Sequence, residues 1–188
     1  MKKLKWLFKK TLIVMGVMVF GLWAYPAFAD TAKEIDQDVD HALQTLYSTT
    51  PAALELSKTA KGILVFPEVV KGGLIVGAQY GTGALKKGEY TAGYYRTVAA
   101  SYGLQAGVQK FGYALIFVTD AGLEYLDSSD GWELGVGPSI VVVDKGLATS
   151  LTTTTAKDDV YAFFFSQEGL MAGAGIQGSK ITQITPGK

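Results

Sequence analysis

The sequence predicts an α+β fold, with N-terminal helices packed on a curved, mainly antiparallel, glycine-rich β-sheet. Three observations carry this. Residues 31–47 set Ile35, Val39, Leu43, Leu46 and Tyr47 on one helical stripe. From Lys61 onward glycine becomes frequent, and aromatic and β-branched residues replace helix formers. Short apolar runs there alternate with turn signals such as Lys86-Lys-Gly-Glu-Tyr90.

The elements follow in order. The first helix carries Glu34, Asp36, Asp38 and Asp40 opposite its apolar stripe, acids placed early where the helix dipole favours them. A second helix starts at Thr50-Pro51, a cap followed by proline at the first helical position, and runs to about Ala60. Gly62 to Pro67 reads as a short buried strand stopped by its proline. Residues 111–119 form another apolar strand. Thr119-Asp120 caps a short helix through Leu126, and 127–131 is a turn. Residues 139–144, 147–155 and 159–166 read as strands.

The glycines are patterned. G-[LW]-x-x-G occurs at Gly73–Gly77, Gly103–Gly107, Gly131–Gly135 and Gly169–Gly173. The surrounding segments are too short and polar for membrane-spanning helices, so the copies are read as strands with period two. Over 97–109 one face is Val98, Ala100, Tyr102, Leu104, Ala106 and Val108. The other is Thr97, Ala99, Ser101, Gly103, Gln105, Gly107 and Gln109. Residues 73–82 split likewise, with Leu74, Val76, Ala78 and Tyr80 against Gly73, Ile75, Gly77, Gln79 and Gly81. At 169–177, Leu170, Ala172, Ala174 and Ile176 oppose Gly169, Met171, Gly173, Gly175 and Gln177. The apolar face is expected to pack as core, leaving the other nearly bare. Two roles for that bare face stay open: curvature with close packing of the N-terminal helices, or a groove admitting a ligand such as an acyl chain.

Gly173-Ala-Gly175-Ile-Gln-Gly178 is also a literal G-x-G-x-x-G. As a dinucleotide fingerprint it should open a βαβ unit, with an acid about 20 residues later. Only ten residues follow Gly178, without an acid. A nucleotide is therefore not expected.

The N-terminus has the order of a secretory leader. Five lysines between Lys2 and Lys10 precede the apolar run 11–25, Pro26, and an Ala27-Phe28-Ala29 cleavage site. Residues 1–29 are thus expected to be a signal peptide, and 30–188 a single exported domain, periplasmic or secreted. The whole chain has 17 basic and 17 acidic residues. Without the five leader lysines it has 12 and 17, a net charge of −5. That balance argues against nucleic acid as a partner. There is no cysteine, which excludes disulfides, thiolate chemistry and a lipid anchor on an N-terminal cysteine.

Five motifs in order resemble the SYLF domain family. They are Lys61-Gly-Ile-Leu-Val-Phe-Pro67; Lys71-Gly-Gly-Leu-Ile-Val-Gly77 leading to Gly81-Thr-Gly83; Ser101-Tyr-Gly-Leu-Gln-Ala-Gly107-Val-Gln109; Trp132-Glu-Leu-Gly135; and Val160-Tyr-Ala through Gly169–Gly173 to Gly178-Ser179. The resemblance covers about residues 40–184. It implies a lipid-binding module rather than an enzyme. Eukaryotic relatives bind phosphoinositides and, in fungi, actin filaments, through contacts attributed to a basic amphipathic N-terminal segment. Bacterial relatives are exported. Here a leader and an acidic helix occupy that place, so phosphoinositide and actin binding are not carried over. Lys61 and Lys71 match the family's first motif and read as solvated loop lysines. The ligand-facing candidates are Lys61, Lys71, Gly77, Gln79, Gly103, Gln105, Gly107, Gln109, Gly173 and Gln177.

Catalytic material is sparse. His41, the one histidine, stands beside the polar face of the first helix. With no cysteine and one histidine, Ser-His-Asp and Cys-His schemes have little material, and zinc sites of His and Cys cannot be assembled. Asp127, Asp130 and Glu133 lack an EF-hand ligand pattern and read as a solvated turn. No catalytic residue, metal or cofactor is expected. The reading is a non-catalytic lipid- or envelope-binding domain. The competing class is a structural or protein-interaction module using the same sheet.

Overall fold

The computed structural model describes residues 30–73, 76–102, 107–128, 131–168 and 178–187. Helix α1 spans Ala32–Thr49 and α2 spans Pro51–Ser57. Then come β1 (Gly62–Gly73), β2 (Val76–Lys87), β3 (Tyr90–Tyr102), β4 (Gly107–Phe117), α3 (Asp120–Ser128), β5 (Trp132–Glu133), β6 (Ile140–Val143), α4 (Lys145–Ala148), β7 (Val160–Glu168) and β8 (Lys180–Ile184). The eight strands form one sheet in the order β5-β8-β3-β2-β1-β4-β7-β6. Among the described strand pairs, only β6–β7 is parallel. The expected α+β architecture is what the chain forms.

A capping box starts α1. The Glu34 amide donates to Thr31 Oγ1 at 3.3 Å, and the Thr31 amide donates to Glu34 Oε2 at 2.9 Å, satisfying two of the helix's open amides. Ile35, Val39, Ala42 and Leu46 are buried along one stripe. They pack with α2 on the outer side of the sheet, over Ile63, Val65, Ala84, Ala114 and Ile116. The acids opposite the stripe are not all solvent-facing. Asp36 accepts bonds from Thr91 Oγ1 at 2.7 Å and Tyr94 Oη at 3.0 Å. Asp40 pairs with Lys86 at 3.0 Å.

The other side of the sheet curls around a second core of Leu64, Phe66, Val69, Leu85, Phe111, Tyr113, Leu115 and Phe117, closed by α3 and Trp132. One hydrogen bond shows the depth of the curl. The buried Tyr113 hydroxyl of β4 donates to Thr97 Oγ1 of β3 at 2.9 Å. Two strands, β1 and β2, lie between them. On a flat sheet those strands would stand about 14 Å apart, further than one tyrosine spans. Asp159 ties three element starts together: it accepts from Thr119 Oγ1 at 2.8 Å and from the amide and hydroxyl of Ser139 at 2.9 Å. These bonds hold its carboxyl below the usual range.

Four expectations about elements are corrected. Pro67 does not stop β1. The strand continues to Gly73 through a bulge, with its register shifting between Val65 and Glu68. Proline has no amide to give the ladder, and a bulge absorbs the gap. Residues 97–109 are not one strand, because β3 ends at Tyr102 and β4 begins at Gly107. Residues 73–82 likewise contain the end of β1 and the start of β2, with Gly73 paired to Gly77. Residues 147–155 are not a strand. Asp144 accepts the Leu147 amide at 2.8 Å and caps α4, and the threonines that follow bond one another in turns.

Candidate functional site

Gly73, Gly77 and Gly107, from the first two glycine motifs, meet at one end of the sheet. There the strand register sets two faces against each other. Directly opposed residues in antiparallel strands share a face. Gln109, Lys71 and Gln79 form one row across β4, β1 and β2. Gly107, Gly73 and Gly77 form the next, and Phe111, Val69, Gly81 and Thr97 the one deeper. This glycine and glutamine side is the inside of the curl. Gln79 is 4% exposed and Gln109 is 1% exposed. Gln79 Nε2 donates to the buried Ser179 Oγ at 3.3 Å.

The alternation read from the sequence is therefore present with its sense reversed. The apolar parity faces out. Val76 is 66% exposed, Val108 63% and Tyr80 52%. Val70 lies opposite Tyr80, and Gly72 lies between Ala78 and Val108. Ala78 and Ala100 are exposed as well. Helices α1 and α2 cover the outer side only further along, over Val65 and Ala84. They do not pack on the glycine side, which corrects that half of the expectation. Two charges in the sequence mark the outward parity. Arg96 shares the face of Val98 and Ala100, Lys110 shares that of Val108, and both are exposed.

The glycines of the curl have a local cause. A Cβ on Gly83 would run into the Val65 carbonyl oxygen and come within 2.9 Å of Phe66. On Gly112 it would meet the Phe165 ring and lie 2.7 Å from the Pro67 carbonyl oxygen. These two glycines flank the bulge of β1 and leave room for its displaced backbone. Gly107 differs. It is exposed, has φ +144°, and has nothing within 4 Å of an added Cβ. Its need for glycine is conformational, not the close contact expected.

The candidate residues separate. Lys71, Gly77, Gln79, Gly107 and Gln109 come together at this end. Lys71 is half-buried in a strand and flanked by Gln79 and Gln109, so it is not a solvated loop lysine. Lys61 stands before the far end of β1, roughly 30 Å of strand away, and pairs with Asp120 at 3.1 Å. The two lysines do not form one basic patch. Gly103, Gln105, Gly173 and Gln177 lie outside the described residues, as do the first two glycines of the G-x-G-x-x-G. Sequence reasoning missed a groove of about 730 Å³ on the outer side between α1 and the sheet, bordered by His41. Its parts come from residues more than a hundred positions apart, so no local motif announces it.

Comparison with known proteins adds one match. Residues 98–185 match the Ysc84 family, described as Las17-binding protein actin regulator. No match among curated proteins was found for the chain. The matched stretch runs from the end of β3 through β8, and it takes in Gln109, Tyr113, Trp132 and Ser179 of the curled core. Over residues 98–185, the chain is thus similar to the Ysc84 (SYLF) family, the family that its motifs resemble.

Proposed function

We propose that the chain is an exported, non-catalytic domain that engages lipid surfaces through the apolar outer face at the glycine-rich end of its sheet. The observation that carries this reading is the exposure of Val76 (66%) and Val108 (63%), with Ala78 exposed beside them on the same face and no helix over them among the described residues. Contiguous exposed apolar surface rimmed by charge is a feature of membrane and protein contact sites. Clustered lysine or arginine would be needed for strong attraction to anionic headgroups, each worth about 1 kcal/mol near the surface. After loss of the leader the net charge is −5, so contact by this face is apolar.

Two measurements test the proposal. In liposome co-sedimentation, binding is expected to be weak, similar for neutral and anionic vesicles, and little changed by salt, since screening acts on charges. The double variant Val76→Asp with Val108→Asp should abolish it without unfolding the protein, because both side chains are exposed. Strong preference for anionic vesicles that collapses as salt rises would defeat the apolar reading. Export is tested by intact mass. Protein recovered from its own cell envelope should begin at Asp30, and a full-length mass there would overturn cleavage at Ala27-Phe28-Ala29.

A further inference from the structure

The groove between α1 and the sheet has chemistry of its own. Its volume of about 730 Å³ falls within the span of ligand pockets, about 300–1,000 Å³. Ile35, Val70 and Phe165 give it an apolar floor. The charges on its rim are of one sign: Asp30, Asp38 and Glu68 line it, with no lysine or arginine among the described lining residues. Two of these acids are already engaged. Asp30 Oδ2 accepts the Thr82 hydroxyl at 2.7 Å, and Glu68 pairs with Lys110 at 2.9 Å in an exposed bridge. Asp38 is exposed, and among the described residues no cation stands within ion-pair distance of it.

Two distortions of the sheet border the same groove. One is the bulge of β1 at Pro67. The other is Ser166 of β7, whose φ of +50° makes it the sole non-glycine residue with positive φ among those described. Bulges re-aim side chains and gather beside binding sites. A residue held in the left-handed region costs energy and is kept where its surroundings fix it.

An apolar floor under an acidic rim complements a segment that is apolar on one side and cationic on the other. We infer that this groove docks a short amphipathic segment of a protein partner, with its apolar residues on Phe165 and Val70 and a lysine or arginine at Asp38. The inference does not depend on lipid contact at the glycine-rich end, since Asp38 and Thr45 lie on α1, and Val76 and Val108 lie at the ends of β2 and β4 outside the groove.

The test uses the purified protein and two probes: a short helical peptide of leucine and lysine, and its leucine–glutamate counterpart. Titration followed by amide NMR should show saturable binding of the lysine peptide alone. Shifts should centre on Asp38 to Thr45, Glu68 to Val70 and Tyr80 to Thr82. Asp38→Lys should weaken binding roughly fivefold or more, because an attractive pair becomes repulsive, while vesicle binding stays unchanged. Thr45→Trp, an exposed position on the rim, should block the groove by bulk. Equal binding of both peptides would overturn the inference. So would shifts confined to the Val76 and Val108 end, or an affinity indifferent to both substitutions. Neutral vesicles that shift the same amides would assign the groove to lipid and overturn it equally.

Discussion

Gly83→Ala is expected to destabilise the protein by about 2–3 kcal/mol, while Gly72→Ala stabilises it by about 0.5 kcal/mol. The same methyl group is added eleven residues apart, with opposite sign. At Gly83 the new Cβ collides with the Val65 carbonyl oxygen, a backbone atom of the adjoining strand, and crowds Phe66. Neither neighbour can yield. Val65 and Phe66 are fully buried, and the bulge behind them is wedged by Gly112 on its other flank. At Gly72 the Cβ sits 3.7 Å from Val108 Cγ2, an ordinary contact on the open outer face. Neither glycine has a positive φ, so alanine suffers no backbone penalty and the unfolded chain loses some freedom. Urea melts of the two variants check this. Equal shifts of the same sign would show that the bulge is not where strain is concentrated.

Alkaline unfolding should be steep between about pH 10 and pH 12. Burial, then the nearby charge of Asp127 and a hydrogen bond to it, push the Tyr95 hydroxyl up to about 12. Tyr113, wholly buried beneath the curl, is pushed up by burial, against a smaller opposing effect of its bond to Thr97. In the unfolded chain a tyrosine titrates near pH 10. Below that pH both states hold the proton and the stabilisation is complete. Above it the unfolded chain releases protons that the folded chain keeps, so stability falls as pH rises through the folded values. Tyr113→Phe should flatten part of that fall. At neutral pH it should cost about 1 kcal/mol, because Thr97 loses its buried donor. Tyrosinate absorbance recorded with denaturant melts measures both effects. A variant with an unchanged alkaline slope would place the titrating group elsewhere.

The helices were legible because their burial is one-sided. Ile35, Val39 and Leu46 fall on a stripe that ends up buried, and Pro51 opens α2 as expected, although the Thr50 side chain makes no capping bond. The sheet was legible in kind and misread in sense. Around Leu85 and Ala84 both faces of β2 are buried, so period two gives no direction there. Direction comes from charge, and the window 97–109 stops one residue short of Arg96 and Lys110, which point outward with Val98 and Val108. Pro67 was misread because a proline that ends a strand and one that sits in a bulge look alike without the partner strands. The groove was not legible at all. It depends on Ser166 meeting Ile35 and Val70, a juxtaposition that only the sheet order creates.

The first and last described residues are fastened together. Thr31 bridges Gly187, and the Gly187 amide donates to the Asp30 carbonyl at 3.1 Å. Among the described strands, β8 is meanwhile the one that links β3 to β5. A chain emerging from its N-terminus therefore carries α1, the β1–β2 hairpin and β3 long before their last partners exist. Until residues 180–187 arrive, β3 has an open edge and the entry to α1 is unlatched. Contacts of such long sequence separation slow folding, because the loop must close before it is rewarded. Completion of this sheet is thus timed by delivery of its final strand. A chain held unfolded while threaded through a pore would keep its apolar edges unpaired for as long as that delivery takes.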